Sequence, residues 1–326
     1  MTINRREFIV LGGAATLLAS TGTALADNWP NKAVTVISPY PPGGGSDIIA
    51  RLVADVLTAA LGQQFVIENL AGASGALGAG KLARSKPDGY TLLVSASAPL
   101  AANKVVQKGL AYDPQADFTP ASLVAETPLL LTCSKNAPAK TLKEFIDYAK
   151  KNPGKVNYGT PGAGTKGHIA AAIIAQRAGI EINHIPYKGS PPLLADLLGG
   201  HIDFALDTAS NYIPHIDEGK IGAVAATSAK RIPRLPNVPT VAEQGMAGYE
   251  ATLWFGAVGP KGMPPEIARK ISDAVNAWLA KPEAVEKLAS LGMVPLGGAP
   301  ERLGKAIDLE IASIRPVVEA GLIQPN

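Results

Sequence analysis

The strongest constraint on this fold is a unit that occurs twice: a strand, a glycine-rich turn, then a helix. In the first copy a strand over residues 33–38 leads into Pro39-Tyr40-Pro41-Pro42-Gly43-Gly44-Gly45-Ser46-Asp47, and an amphipathic helix starts near Ile48. In the second, a strand over residues 156–159 leads through the turn 160–167 into a helix over 168–178. A turn of this kind leaves backbone N–H groups unpaired at the positive end of a helix dipole, which is a geometry that holds anions. Two such turns predict two α/β lobes whose anion-binding ends face a common cleft, at the carboxyl ends of the strands.

The flanking pattern supports this organisation. After the first helix, which spans 47–61 and ends at Gly62, a strand is expected over 64–68, a short helix over 77–85 and a strand over 90–95. That order is βαβαβ and implies a parallel sheet with right-handed crossovers. In the first helix Ile48, Leu52, Val56 and Ala60 recur every fourth residue, which predicts a buried stripe. The second unit continues with a strand over 182–187, a helix over 191–198 and a strand over 201–206 ending at Asp207. Residues 123–134 are expected to cross from the first lobe to the second, and residues 249–258 to cross back. Two crossings form a hinge. The proline-rich segment 232–239 reads as extended surface chain. Helices over 264–280 and 300–319 are assigned to the first lobe, with Leu303, Ile307, Ile311 and Ile314 on one face of the last. The lobes are therefore expected at residues 27–125 plus 251–326, and at residues 126–250.

The N-terminal residues read as something other than fold. Arg5-Arg6 precede an apolar stretch through Leu18 and then Ala24-Leu25-Ala26, which is the pattern of a twin-arginine export signal cleaved after Ala26. The apolar stretch is shorter than the ~20 residues that span a bilayer. The expected product is a soluble chain outside the cytoplasm.

Composition excludes several classes of function. With 326 residues, 47% of them hydrophobic, the chain can bury one large core or two modest ones. A formal charge of +3 is too balanced for a nucleic-acid binder. Cys133, the lone cysteine, lies in an apolar run and reads as a buried small hydrophobe. The four histidines show no metal-ligand spacing. Gly75 to Lys81 fits most of a phosphate-binding GxxxxGK loop, yet Leu82 stands where magnesium needs a hydroxyl. Gly162-Ala163-Gly164-Thr165-Lys166-Gly167 fits GxGxxG, but the next strand ends in Pro186-Tyr187-Lys188 without the acid that holds a ribose. No GxSxG elbow is present. Asp47 and Asp207 each admit a capping role at a helix start. At Asp207 that role stands beside ligand contact, because an ionised carboxylate there repels a bound carboxylate unless the ligand carries an ammonium.

Several strings then match one family. They are Trp29-Pro30-Asn31-Lys32, Tyr40 to Asp47, Lys86-Pro87-Asp88-Gly89-Tyr90-Thr91-Leu92, Tyr158-Gly159-Thr160-Pro161-Gly162 with Gly167-His168, His184-Ile185-Pro186-Tyr187-Lys188-Gly189, Asp196 to Asp203, and Pro236-Asn237-Val238-Pro239-Thr240-Val241-Ala242-Glu243. In order and spacing the chain resembles the periplasmic receptors of tripartite tricarboxylate transporters, the Bug or TctC family. The resemblance implies a type II periplasmic-binding-protein fold that closes on a small di- or tricarboxylate or an aromatic acid. It also implies delivery to membrane subunits without catalysis, no cofactor and a monomeric state. Carried over by position, the ligand would meet Tyr40, Pro42, Gly43, Gly44 and Ser46, with Ser74 and Gly75 from the neighbouring loop. Thr160, Gly164, Thr165 and Tyr187 would face it from the second lobe, while Ser95, Ser97, Asp207 and Thr208 line the cleft. At Thr160-Pro161 many relatives have Ser or Asn, and the proline removes one backbone donor. Two alternatives remain open on sequence: a ligand-loaded sensor for a histidine kinase, and a periplasmic hydrolase.

Overall fold

The computed structural model describes residues 28–324, so the export-signal reading lies outside the described residues. The first unit comprises β1 (Val34–Ser38), α1 (Gly45–Leu61), β2 (Phe65–Asn69), α2 (Ala76–Ala83) and β3 (Thr91–Ala96). After a short helical segment, Ala98–Ala102, and α3 (Asn103–Val106), the chain enters β4 (Phe118–Ser134), a strand of 17 residues. The second unit comprises α4 (Leu142–Lys151), β5 (Val156–Thr160), α5 (Lys166–Ala178), β6 (Ile182–Pro186), α6 (Ser190–Gly199) and β7 (Phe204–Thr208). Next come α7 (Ile213–Asp217), β8 (Ile221–Ala226) and β9 (Thr252–Pro260), then α8 (Pro265–Leu279), α9 (Pro282–Ser290), β10 (Val294–Pro295) and α10 (Pro300–Glu319).

The strands hydrogen-bond in the order β2-β1-β3-β9-β4-β7-β5-β6. The two ends of this path mirror each other. β1 lies between β2 and β3, and β5 lies between β6 and β7, with parallel pairing throughout. The expected parallel units are therefore present. Between them run β9 and β4, antiparallel to each other and to β3 and β7. β4 pairs with β9 and β10 along its first part, and with β7 and β8 along residues 129–134. These long strands carry the chain between the lobes of a two-lobed α/β fold, and each glycine turn follows the central strand of its own unit.

Some local readings are corrected. The fully buried stripe of α1 is Ile49, Val53 and Leu57, with Ala50 and Ala54, whereas Ile48, Leu52 and Val56 are half-buried and Ala60 is exposed. Both stripes are apolar because the helix packs against β1, β2, β3 and α8, so a spacing of four could not choose between them. The proline-rich segment is also less exposed than expected. Ile232, Leu235 and Val238 are buried in a cluster with Leu193, Leu197 and Tyr212, because successive turns bring every third residue inward. Leu303, Ile307, Ile311 and Ile314 are buried on α10, as their spacing predicts. Among the described residues no helix is long and apolar enough to cross a membrane.

Candidate functional site

The first wall of the cleft is the start of α1. Gly44 caps it in extended conformation, and the first intrahelical bond runs from Ile48 N–H to the Gly44 carbonyl (3.0 Å). The N–H groups of the first turn therefore lie ahead of the helix ladder. Asp47, in that turn, does not cap through the N-cap position. Its buried carboxylate reaches back to accept from Gly43 N–H (2.9 Å), and also from Arg51 Nε (2.9 Å) and Asn69 Nδ2 (2.7 Å). Burial opposes ionisation, but these donors together hold the carboxyl below its usual range. Its charge is thus spent locally on fixing the loop. Ser46 Oγ accepts from Ala96 N–H (3.3 Å), which ties the turn to the end of β3.

The second wall is the start of α5, capped by Thr165 in extended conformation. Thr165 Oγ1 donates to the Gly162 carbonyl (2.7 Å), closing the turn on itself. Gly167 is required by close packing. A Cβ there would stand 2.2 Å from the Leu206 carbonyl oxygen. The turn is braced from behind by two imidazoles stacked 3.9 Å apart at 10°. His168 Nδ1 accepts from Gly164 N–H (3.1 Å), and His184 Nε2 pairs with Thr160 Oγ1 (2.6 Å). Burial pulls His168 down to about 4, and burial together with its neighbour pulls His184 down to about 3.

Asp207 and Thr208, at the end of β7, complete the second wall. Asp207 is fully desolvated, which pushes its carboxyl up, while Ser190, Thr208 N–H (2.6 Å), Asn211 Nδ2 (3.0 Å) and Tyr212 O–H (3.5 Å) donate to it. The walls meet closely: a Cβ on Gly45 would stand 3.0 Å from Thr208 Oγ1 and 3.1 Å from Ser210 Oγ.

Between these walls lies a cavity of about 40 Å³, room for only a few waters. Of the residues singled out from sequence, Tyr40, Gly44, Ser46, Thr165, Asp207 and Thr208 line it. The others stand elsewhere. Pro42 and Gly43 are exposed. Ser74 Oγ donates to the Ala163 carbonyl in the second turn (2.7 Å), and Gly75 packs on Pro99. Ser95 is buried in β3, while Ser97 Oγ donates to Glu310 (2.9 Å). Thr160 faces His184, Gly164 packs on Val106, and Tyr187 O–H donates to Asp196 (2.8 Å). Pro41, Gly45, Pro161, Lys166 and Gly167, which also line the cavity, belong to the two turns read as anion-holding, whereas Ala96, Ala98, Leu129, Ser190, Leu253 and Phe255 carry no such reading. Gly189-Ser190, a further glycine step into a helix, was the one available signal. Leu129, Leu253 and Phe255 sit on the crossing strands, where near-continuous apolar runs hide which face meets the cleft.

Two opposed helix starts, two hydroxyl-bearing turns and an apolar floor make a site for capture rather than for bond breaking, and with this fold they define a solute-binding receptor. The chain belongs to the tripartite tricarboxylate transporter family of receptors (TctC), whose model matches residues 49–322. This is a family of receptors, not of enzymes, and two similar solved structures are a periplasmic transporter and the periplasmic binding protein BugD. The chain is similar to the protein BugT of Bordetella pertussis, with 36% identity over 289 residues, 87% of this chain and 89% of the relative. It is also similar to a UPF0065 protein of Agrobacterium vitis, with 36% identity over 319 residues, covering 97% and 92%. Among solved structures, an R. palustris protein determined with adipate has a TM-score of 0.89 and 36% identity, covering 92% of this chain and all of that one. MatC of Rhodopseudomonas palustris, determined with malate, has a TM-score of 0.84 and 32% identity, covering 89% and all of its length.

Proposed function

We propose that this receptor captures a small carboxylate in the cleft between α1 and α5 and hands it to the membrane subunits of a tripartite transporter. The observation that carries this reading is the pair of helix N-termini facing one cavity from opposite lobes, in a family whose relatives were solved with adipate and malate. The lobes are taken as residues 27–125 plus 251–326 and residues 126–250, with β4 and β9 as the hinge. The ligand's carboxylate meets the turns at Tyr40 to Ser46 and at Thr165 to Gly167, and Asp207 and Thr208 contact the ligand's other polar groups. The protein works as a monomer, released into the periplasm after cleavage behind Ala26.

The energetics favour many modest contacts. Micromolar affinity needs about 8 kcal/mol net. A helix N-terminus supplies at most ~2 kcal/mol to an anion, and each hydrogen bond to a charged group adds roughly 1.5–3 kcal/mol. Two turns and their hydroxyls reach that range after the cost of association. The apolar floor of Leu129, Leu253 and Phe255 then selects the ligand by shape.

The test is a thermal-shift screen over mono-, di- and tricarboxylates, using protein unfolded and refolded to strip bound ligand. A cognate acid at about 100 times its Kd stabilises the fold by ~2.7 kcal/mol. The absence of a shift with every carboxylate overturns the proposal.

A further inference from the structure

Glu310 is a buried acid with no place in ligand capture. It sits on α10, 6% exposed, and its carboxylate accepts three bonds: from Ser97 Oγ (2.9 Å), Trp254 Nε1 (2.7 Å) and Lys166 Nζ (3.3 Å). Ser97 follows β3 and Trp254 lies on β9, so these two partners remain with Glu310 however the lobes move. Lys166 is different. It is the first residue of α5, in the other lobe, and it also lines the cleft.

We infer that Lys166 and Glu310 form a closure latch, an ion pair that exists only when the lobes are shut and that holds the start of α5 in its ligand-facing position. The inference rests on the lobe assignment proposed above, but not on the identity of the ligand.

Three physical points support it. First, this pair is unusually dry. The two side chains are 15% and 4% exposed, whereas every other ion pair among the described residues has at least one side chain more than a quarter exposed. A dry pair is screened little by salt. A buried carboxylate left with only neutral donors is compensated for its desolvation only in part. Opening the lobes leaves Glu310 in that state, because its two remaining donors are neutral.

Second, a lysine in the first turn of α5 opposes the helix dipole. The sequence breaks a local rule at that position, and the carboxylate across the seam compensates for it. Third, the pair lies within a continuous seam. Ile169 of α5 packs with Ala102, Val106, Ile314 and Ile323, and Ser74 Oγ donates to the Ala163 carbonyl nearby. A ligand that draws the end of α5 toward α1 thereby brings Lys166 onto Glu310. The latch then slows release rather than speeding capture.

The experiment reads closure without ligand. Spin labels go on cysteines at Val66 and Leu198, which are exposed in opposite lobes, in a Cys133→Ala background. Distance distributions are compared for the unsubstituted pair, Lys166→Met, Glu310→Gln and the double variant. Each single variant should lower the closed-to-open ratio at least tenfold, and the double should lower it no further than the larger single effect. Ser97→Ala removes a bond to Glu310 within one lobe. It should lower the melting temperature while leaving the ratio within twofold, which separates a latch from general support. Lys166→Met changes the more exposed partner of the pair and keeps the test available if Glu310→Gln fails to fold. An unchanged distribution in Lys166→Met overturns the latch, as does additive behaviour in the double variant or a parent protein already fully open without ligand. Because no carboxylate is used, these outcomes are independent of the thermal-shift result.

Discussion

At the scale of single residues, the site depends on small side chains that let two surfaces meet. Gly44 has φ −80° and ψ 164°, a conformation open to any residue. A Cβ there would lie 3.7 Å from Ser190 Cβ and Oγ, an ordinary contact. Gly44→Leu is therefore compatible with the first lobe, but its longer side chain fills the gap that closure must eliminate. Lys188, in contrast, is exposed beside the cleft and does not line it. Titration calorimetry with the acid that gives the largest thermal shift should show Gly44→Leu weakening binding at least tenfold and Lys188→Ala by less than twofold. The reverse order would assign the anchor to side-chain charge instead of backbone N–H groups. The unligated stability of Gly44→Leu, from urea denaturation, should stay near that of the parent.

At the scale of elements, much of the fold was legible in the sequence. Both βαβαβ units could be read because glycine turns mark each helix start, and Gly62, Gly179 and Gly200 cap three helices in the left-handed region. The capping box of α4, Thr141 with Glu144, is an equally local signal of a helix start. β10 could not be read, since two residues carry no period. The site was less legible than the fold. The turns announced themselves by composition, whereas Lys166 took its meaning from Glu310, 144 residues away. The histidine brace of the second turn was hidden for the same reason. Spacing for metal ligands gave no hint that His168 and His184 stack. Their neutral state is needed, because His168 Nδ1 must accept from Gly164 N–H. Tyr158 also packs on His184, with ring centroids 5.2 Å apart, and contributes no charge at acid pH. With folded values near 4 and 3 and unfolded values of about 6.5, the unfolded chain binds more protons between these limits. Stability conferred by the pair is therefore intact above about pH 6.5 and is lost as pH falls toward 4, with a slope of at most ~1.4 kcal/mol per pH unit for each histidine. Urea midpoints measured from pH 7 to pH 4 should fall less steeply in His184→Gln than in the parent. Parallel profiles would mean that the imidazoles already titrate normally.

At the scale of the whole molecule, a two-lobed receptor invites the expectation that its lobes melt separately. The sheet argues otherwise. β4 is one continuous strand whose first part pairs with β9 and β10, while residues 129–134 lie between β7 and β8. β9 in turn joins β3 to β4, so each three-stranded parallel unit is bonded edge to edge to a strand that also serves the other side. Thr227 reinforces the junction: its Oγ1 accepts from Leu129 N–H (2.8 Å) and lies 2.6 Å from the Ala251 carbonyl. Losing either unit would strip β4 and β9 of ladder partners along their length and expose the residues buried on them, Leu130, Leu131 and Phe255 among them. Unpaired backbone groups in a former interior are costly, so a half-unfolded state lies well above both end states. On the hinge proposed above, closure bends the crossing strands without breaking their ladders, so lobes that move as bodies still unfold as one unit. Scanning calorimetry of the ligand-free receptor should give one transition whose calorimetric and van't Hoff enthalpies agree. Leu130→Ala, buried in β4 opposite Asp207 and Ala226, should lower that single transition by removing about 2–5 kcal/mol. It should not split the transition. Two resolved transitions in the parent, or a variant that melts one half early, would show that the crossing strands act as a linker and not as a shared core.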